Sequence, residues 1–265
     1  MITDDLGHAF SPKGPASRVV SLVPSLTEAI ALTRPGTLVG ATDWCTHPAG
    51  LDVPRVRGTK NPDLGAITAL APDLVIANKE ENRELDVRRL RAAGVPVWVT
   101  DIRTVPAALD SMRRLFTAAL QWDVPAWLEQ ASAIWAPTTP ALDVNTADVR
   151  TGRQKLSVTA AIAIWRDPWM VVGGDTFTGD LAARVGLANV FADSAERYPH
   201  TTPIEIVQRG ADLVVLPDEP YVFTADDGPE AFSSTRTVLV EGRLLTWYGP
   251  SLLTAYDVLR TALAE

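Results

Sequence analysis

Short runs of apolar, often β-branched residues alternate with segments of helical periodicity in the first half of the chain. A helix is predicted from Ser25, where Ser25-Leu26-Thr27-Glu28 has the form of a capping box. A second helix is predicted over 82–93, with Gly94 as its C-terminal cap. The strands predicted here are Val19–Val23, Leu38–Thr42, Leu74–Ala77 and Val95–Thr100. This alternation indicates an α/β fold with mainly parallel sheets.

The same alternation resumes in the second half, after a helical region at 105–136 in which Pro125 restarts the helix. Residues 136–155 are rich in Pro, Thr, Asn and Asp, which is typical of a connection. The chain closes with an amphipathic helix over 252–263, and residues 1–16 are predicted to form a small hairpin or arm. The strands predicted in this half are Leu156–Trp165, Ala188–Ala192, Leu213–Leu216 and Val238–Leu245.

Two pairs of segments repeat each other. The segment 67–80 (ITALAPDLVIANKE) matches 206–219 (IVQRGADLVVLPDE), so that Asp73 pairs with Asp212. The segment 39–48 (VGATDWCTHP) matches 190–199 (VFADSAERYP) in the same order. We therefore predict two similar Rossmann-like lobes. The predicted domains are an N-terminal lobe (1–104), a bridging helical region (105–136) and a C-terminal lobe (137–265).

Composition narrows the function classes. Among 265 residues, 24 Lys and Arg against 32 Asp and Glu give a formal charge of −8, which argues against nucleic acid as a partner. The single cysteine, Cys45, excludes an internal disulfide and is expected to be a buried, inert thiol. The opening Met1-Ile2-Thr3-Asp4-Asp5 has two acids where an export signal has basic residues, so we predict a cytoplasmic protein; the alternative is an extracytoplasmic protein whose leader has been removed.

The loops that follow the predicted strands are rich in aromatic residues. Ligands of open α/β folds bind beyond the carboxyl ends of the strands, and flat rings suit the faces of large planar ligands. The alternative is that several of these rings cap the sheets or fill the joint between the lobes. The aromatic candidates for ligand binding are Trp44, Trp165, Trp169, Tyr198, Tyr221, Trp247 and Tyr248.

Polar residues in the same loops add further chemistry. His47 and Tyr198 occupy matching places in the repeat, each before a proline, and are candidates for axial ligands to a metal in a macrocycle. Lys79 and Arg166 are candidates to meet carboxylates or phosphate on a ligand, or alternatively are solvated side chains. Gly173-Gly174-Asp175-Thr176 favours a helix cap over a phosphate cradle.

The sequence contains none of the common catalytic motifs, so we predict a protein that is not an enzyme. The alternative is a cytosolic enzyme that uses a cleft between the two predicted lobes for a cofactor or small metabolite. Its titratable pair would be Glu80 and Glu219, or His47 and Asp101. A third possibility is a scaffold whose cleft is filled by its own side chains.

The run 18–28 (RVVSLVPSLTE), followed by Val39-Gly40 and then 71–77 (APDLVIA), resembles a known family. It is similar to the class III solute-binding proteins of ABC importers, the helical-backbone metal receptor superfamily, and in particular to vitamin B12 binders. The resemblance implies two lobes joined by a long backbone helix, with the ligand in the cleft between them. It also implies a monomer that requires no cofactor and whose partners are a metal chelate and an ABC permease.

The same resemblance assigns roles by position. The stacking aromatics fall on Trp44, Trp169 and Tyr198, with His47 and Trp247 close by. Two further aromatic positions of the family are Lys60 and Asn78 here, and Lys60 is also predicted to contact the ligand. These two departures leave cobalamin, another corrinoid, haem or a ferric siderophore-like chelate open as the ligand. The acids that dock this family to its permease are poorly matched, because their positions fall on Gly65 and near Ile204, beside Glu205.

Overall fold

The apolar runs of the first half form a parallel sheet in the computed structural model, which describes residues 2–136 and 158–264. The first of two compact units contains 1–102, 106–132 and 248–250. Its helices are α1 (Pro24–Thr33), α2 (Leu64–Ala69) and α3 (Glu84–Ala92), with a short 3-10 helix at Pro35–Thr37. Its strands are β1 (Ile2–Thr3), β2 (Ala9–Phe10), β3 (Val19–Ser21), β4 (Leu38–Ala41), β5 (Leu74–Asn78) and β6 (Val97–Thr100).

Strands β3 to β6 pair in the order β4-β3-β5-β6, all parallel, as predicted. The predicted N-terminal hairpin is also confirmed, since β1 and β2 pair antiparallel. The prediction of a capping box at Ser25 is wrong. Helix α1 begins one residue earlier, at Pro24, whose fixed φ suits the first helical position, and Val23 is the N-cap. Gly94 follows α3 with φ +77°, as a C-terminal cap requires.

Region 105–134 is helical but interrupted. It consists of α4 (Val105–Arg114), a π-helical turn at Leu115–Ala119 and α5 (Ala126–Ile134). The long backbone helix that the resemblance implies is interrupted at 120–125, where Gln121 takes φ +55°. The predicted restart at Pro125 is confirmed, since its carbonyl accepts the amide of Leu128 at 2.9 Å.

The second unit contains 103–105, 133–247 and 251–265. Its strands are β7 (Val158–Trp165), β8 (Met170–Val171), β9 (Leu187–Asn189), β10 (Leu213–Pro217) and β11 (Arg236–Val240). Its helices are α6 (Phe177–Arg184), α7 (Pro203–Gln208), α8 (Gly242–Thr246) and α9 (Leu252–Ala264), with a 3-10 helix at Pro229–Ala231. Strands β9-β7-β10-β11 are parallel neighbours, and β8 adds antiparallel to β7.

Two predictions for this half need comment. The single strand over 238–245 is wrong, because β11 ends at Val240 and α8 begins at Gly242. The start of the strand predicted at 156–157 and nearly all of the predicted connection at 136–155 lie outside the described residues. The predicted domain boundaries at 104 and 136 stay a prediction.

The predicted repeat is visible in the topology of each unit. The order β4-β3-β5-β6 corresponds to β9-β7-β10-β11, and α2 and α7 precede the matching strands β5 and β10. Asp73 accepts a hydrogen bond from the hydroxyl of Ser17 at 2.8 Å, and Asp212 accepts one from Thr159 at 2.6 Å. Each matched aspartate thus anchors the residue that leads into the neighbouring strand.

The two cores differ in chemistry. The core of the first unit is aliphatic, with residues such as Val20, Val75 and Leu90. The core of the second unit includes the aromatic residues Trp169, Phe191, Phe223 and Phe232. Because aromatic rings bury large areas, this core extends into the loops beyond the strands, where ligand contacts were predicted.

Candidate functional site

The loop after β4 presents Trp44 on a fixed backbone. The Arg55 guanidinium donates to the carbonyl oxygens of Thr42 at 3.0 Å, Cys45 at 2.9 Å and Leu51 at 2.9 Å. Trp44 nevertheless remains 67% exposed. An indole held open to solvent on an ordered loop is a surface on which a planar ligand can stack.

Cys45 is buried beneath this loop, as predicted. Its sulfur lies 3.0 Å from the Thr27 hydroxyl and 3.1 Å from the Thr42 hydroxyl. Burial raises the pKa of the thiol, so the neutral form is favoured. Cys45 therefore packs beneath the loop as a neutral thiol.

The two candidate metal ligands are half-buried, each in its own unit. His47 lies before a cis peptide bond to Pro48, with its Nδ1 3.2 Å from the Thr46 hydroxyl. In the second unit the Arg197 guanidinium lies 5.9 Å from the centre of the Tyr198 ring. Within the described part of the chain, no group of three or more His, Cys, Asp or Glu is arranged to hold a metal ion.

The loop after β5 is built by two buried asparagines. The side-chain Oδ1 of Asn78 accepts the backbone amides of Glu80 at 2.8 Å and Glu81 at 3.3 Å, and the side-chain Oδ1 of Asn82 accepts the backbone amide of Asn78 at 2.8 Å. Lys79 forms an ion pair with Asp101 at 2.8 Å.

Lys60, which stands where the family has an aromatic residue, donates to the carbonyl oxygen of Glu80. Both lysines predicted to contact a ligand, Lys60 and Lys79, therefore already bond to the protein.

In the second unit, the loops after β7 and β10 bring predicted aromatics together. The Trp165 ring meets Tyr221 edge-to-face at 5.5 Å, and Tyr221 lies 4.7 Å from Phe223. Phe223 in turn stacks on Trp169 at 5.7 Å, with Phe232 against the other ring edge at 5.2 Å. Trp169 is buried by these contacts, whereas Trp165 remains 43% exposed.

Arg166 ties these loops together through acids. Its guanidinium contacts Asp227 and lies 2.5 Å from Glu230. Asp227 also accepts the Tyr221 hydroxyl at 2.7 Å, and this hydrogen bond is the main reason why the pKa of Tyr221 is raised. The partners Asp227, Glu230, Phe223 and Phe232 were not predicted. The only signal for them was the alternation Tyr221-Val222-Phe223 directly after the predicted strand.

Trp247 and Tyr248 are both buried. In the second unit, Arg243 lies 6.0 Å from the Trp247 ring centre, and Trp247 hydrogen-bonds the Glu219 carboxyl group. In the first unit, the Tyr248 hydroxyl lies 3.5 Å from Glu81, and burial raises its pKa well above the ordinary value. Both residues are held by the protein, and their contact with a ligand stays a prediction.

A cavity of about 430 Å³ opens beside the start of α6 in the second unit. Gly173, Gly174 and Asn189 contribute to its walls, and none of the eleven predicted ligand-binding residues does. The Thr176 hydroxyl accepts the amide of Gly179 at 3.1 Å, which confirms the predicted helix cap.

Comparisons with known proteins show which sequences this chain is similar to. No family model matches the chain. It is 27% identical over 202 residues to a vitamin B12-binding protein of Salmonella typhi, covering 76% of this chain and 72% of the relative. It is 26% identical over 208 residues to the vitamin B12-binding protein of Yersinia pestis (strain Pestoides F), covering 77% and 71%.

Solved structures agree over nearly the whole chain. The periplasmic vitamin B12-binding protein BtuF of Vibrio cholerae has a TM-score of 0.72 at 17% identity, covering 94% of this chain and 97% of that one. The periplasmic haem-binding protein BhuT, in complex with two haems, has a TM-score of 0.75 at 24% identity, covering 95% and 98%. The chain has the fold of the class III solute-binding proteins. The predicted resemblance and the predicted α/β fold class are confirmed.

The prediction of a cytoplasmic protein is wrong, because these related structures are of periplasmic proteins. Asp4 and Asp5, on which it rested, belong to the folded hairpin. Asp4 is buried and pairs with Arg91 at 2.6 Å, and Asp5 pairs with Arg114 at 2.7 Å. Their charge serves the fold and carries no information about export. In the described part of the chain, the helices are too short or too polar to cross a membrane.

Proposed function

We propose that this chain is a non-catalytic receptor that binds a flat metal chelate through the loops at the carboxyl ends of its strands. The candidate ligands are cobalamin or another corrinoid, haem, and a ferric chelate. The observation that carries the proposal is the pair of exposed indoles, Trp44 in the loop after β4 and Trp165 at the carboxyl end of β7. The names of the relatives, which are binders of vitamin B12 and haem, support the choice of ligand class.

Stacking supplies the attraction in this proposal. Covering an exposed indole removes apolar area from water, which favours binding by about 25 cal/mol per Å² of buried area. A favourable ring geometry adds about 0.5–1.5 kcal/mol. Tyr221 packs against the Trp165 ring, which leaves that side chain less freedom to lose on binding, and Arg55 fixes the backbone of the loop that carries Trp44.

His47 and Tyr198 are the residues that would contact the metal of the chelate. Imidazole and phenolate are both known axial ligands of macrocyclic iron. The contact of the His47 Nδ1 with the Thr46 hydroxyl orients the ring, and an orienting partner of this kind is usual for a metal-binding histidine.

The partner that follows from this proposal is an ABC permease, to which the receptor would dock on the side of the membrane away from the cytoplasm. The positions that carry docking acids in the family are Gly65, near the start of α2, and Ile204, near the start of α7, where it is exposed. Glu205 is the adjacent acid, and it bonds Thr201 at 3.0 Å and Arg209 at 3.3 Å.

The test is calorimetric titration of the purified chain with cyanocobalamin, haemin and a ferric hydroxamate. We expect at least one to bind with a dissociation constant of about 1 μM or lower, and metal-free protoporphyrin to bind more weakly than haemin if haem is that ligand. Absence of binding by all three would contradict the proposed function.

A further inference from the structure

The charge around Arg166 is more than neutralised by the protein. Its guanidinium contacts Asp227, lies 2.5 Å from Glu230 and lies 3.7 Å from Asp167. One positive charge therefore faces three carboxylates within a single cluster, which leaves a formal excess of two negative charges. Two of these acids come from the segment after β10, so the excess is a property of the folded unit and not of the sequence around Arg166.

This cluster lies beside the aromatic surface proposed to bind the ligand. Arg166 lies 5.7 Å from the Trp169 ring centre, and Asp227 fixes the hydroxyl of Tyr221. Tyr221 supports the exposed ring of Trp165. Arg166 is thus a positioning residue for the aromatic cluster, and its charge is taken up by the acids that hold it.

The predicted basic contacts of the first unit are engaged in the same way. Lys79 pairs with Asp101 at 2.8 Å, and Lys60 donates to the Glu80 carbonyl oxygen. A ligand carboxylate that loses its water needs a cation or several donors in return. Each of the three predicted basic residues would first have to leave a protein partner to provide one.

We propose that this receptor selects a flat chelate with an uncharged, hydrogen-bonding periphery, such as an amide-bearing corrin, over one whose periphery carries carboxylates, such as a porphyrin with propionates. The inference rests on the proposed function and narrows its ligand class. Repulsion between the acid cluster and a ligand carboxylate provides the discrimination, together with the protein contacts that already engage Lys60, Lys79 and Arg166.

Two matched ligand pairs test the selection on the full chain, at about 50 mM salt so that charge effects are not screened. The first pair is haemin and haemin dimethyl ester, which share one macrocycle. The second is cyanocobalamin and its monocarboxylic acid derivative. In each pair that binds, we expect the uncharged member to bind at least about tenfold more tightly, and high salt to reduce the difference.

The double variant Asp227→Asn, Glu230→Gln releases Arg166 while keeping an acceptor for Tyr221. We expect it to improve binding of the charged member of each pair relative to the uncharged member. Asp123→Asn, at an exposed acid between α4 and α5, is the matched control and should change neither. Circular dichroism and thermal unfolding show whether each variant keeps its fold.

Several results would overturn the inference without touching the proposed function. One is haemin binding as tightly as its ester. Another is a preference that the double variant leaves unchanged. A third is a selective loss of haemin binding in Arg83→Gln, since Arg83 is an exposed arginine of the loop between β5 and α3. Failure of all four ligands to bind would overturn this inference, and failure of the ferric hydroxamate as well would contradict the proposed function.

Discussion

At Gly242, the atoms of a neighbouring residue leave no room for a side chain. A Cβ at this position would lie 2.4 Å from the Glu219 Cγ and 2.9 Å from its backbone N and O. We therefore expect Gly242→Ala to lower the free energy of unfolding by about 1–3 kcal/mol, as overpacking does. Urea unfolding measures it. Gly36→Ala is the control, because no atom lies within 4 Å of its added methyl group, and an equal loss there would contradict the steric explanation.

Glu219 gives a prediction about pH. Burial is the main cause of the raised pKa of its carboxyl group, so its ionised form costs stability in the folded state. The stabilisation of the fold by the protonated carboxyl group is fully present below the ordinary Glu pKa and is lost as pH rises through the raised pKa of Glu219 in the folded state. Glu219→Gln should therefore be more stable than the natural chain near pH 7.5, with the difference shrinking towards about pH 4. A difference in the free energy of unfolding that does not change with pH would contradict this reasoning.

Residue identity alone predicts which loops carry aromatic side chains, but not which rings stay exposed. Trp165 ends β7 and Trp169 lies in the turn that follows, and yet Trp165 is exposed while Trp169 is buried. The difference comes from Phe223 and Phe232, which reach Trp169 from a distant part of the sequence. No local pattern around the two tryptophans contains that information.

At the scale of elements, the N-terminal hairpin depends on Asp4. Its carboxylate accepts the amides of Leu6 at 3.1 Å and His8 at 2.8 Å, as well as Val99 at 3.3 Å, and pairs with Arg91. Asp4→Ala would leave these donors and a mostly buried guanidinium without their acceptor. We expect a loss of about 2–4 kcal/mol in the free energy of unfolding.

Hydrogen exchange locates the effect of Asp4→Ala. Because Val99 lies in the edge strand β6, its amide should exchange faster in the variant, together with those of the hairpin. Asp123→Ala, at an exposed acid, is the control and should stay within about 0.5 kcal/mol. Unchanged protection at Val99 would show that the hairpin is held by other contacts.

The strands of both sheets could be predicted because buried parallel strands are short β-branched runs. The run Val238–Leu245 was misread for a physical reason. Its two apolar parts, Val238–Val240 and Leu244–Leu245, are divided by Glu241-Gly242-Arg243 and are each too short for a period to separate strand from helix. Its second part becomes α8, and Asp218, from the segment after β10, accepts the Gly242 amide at 2.7 Å where α8 begins. That contact is tertiary, so the sequence of the run does not contain it.

At the scale of the molecule, the internal repeat could be predicted from two matched segments, and the equal strand orders of the units bear it out. The cellular location of the protein could not be predicted in this way, because Asp4 and Asp5 near the N-terminus stabilise the hairpin. The ligand could not either, because sequence shows that Lys60, Lys79 and Arg166 are basic but not that each is already bonded within the fold.

The most direct test of the account is the affinity of Trp44→Ala and Trp165→Ala for whichever of cyanocobalamin or haemin the natural chain binds, measured by calorimetry. We expect each variant to bind at least about tenfold more weakly, which is ~1.4 kcal/mol, and the double variant to be weaker still. Trp127→Phe, in α5, should bind like the natural chain. A double variant with unchanged affinity would contradict the claim that these two indoles hold the ligand.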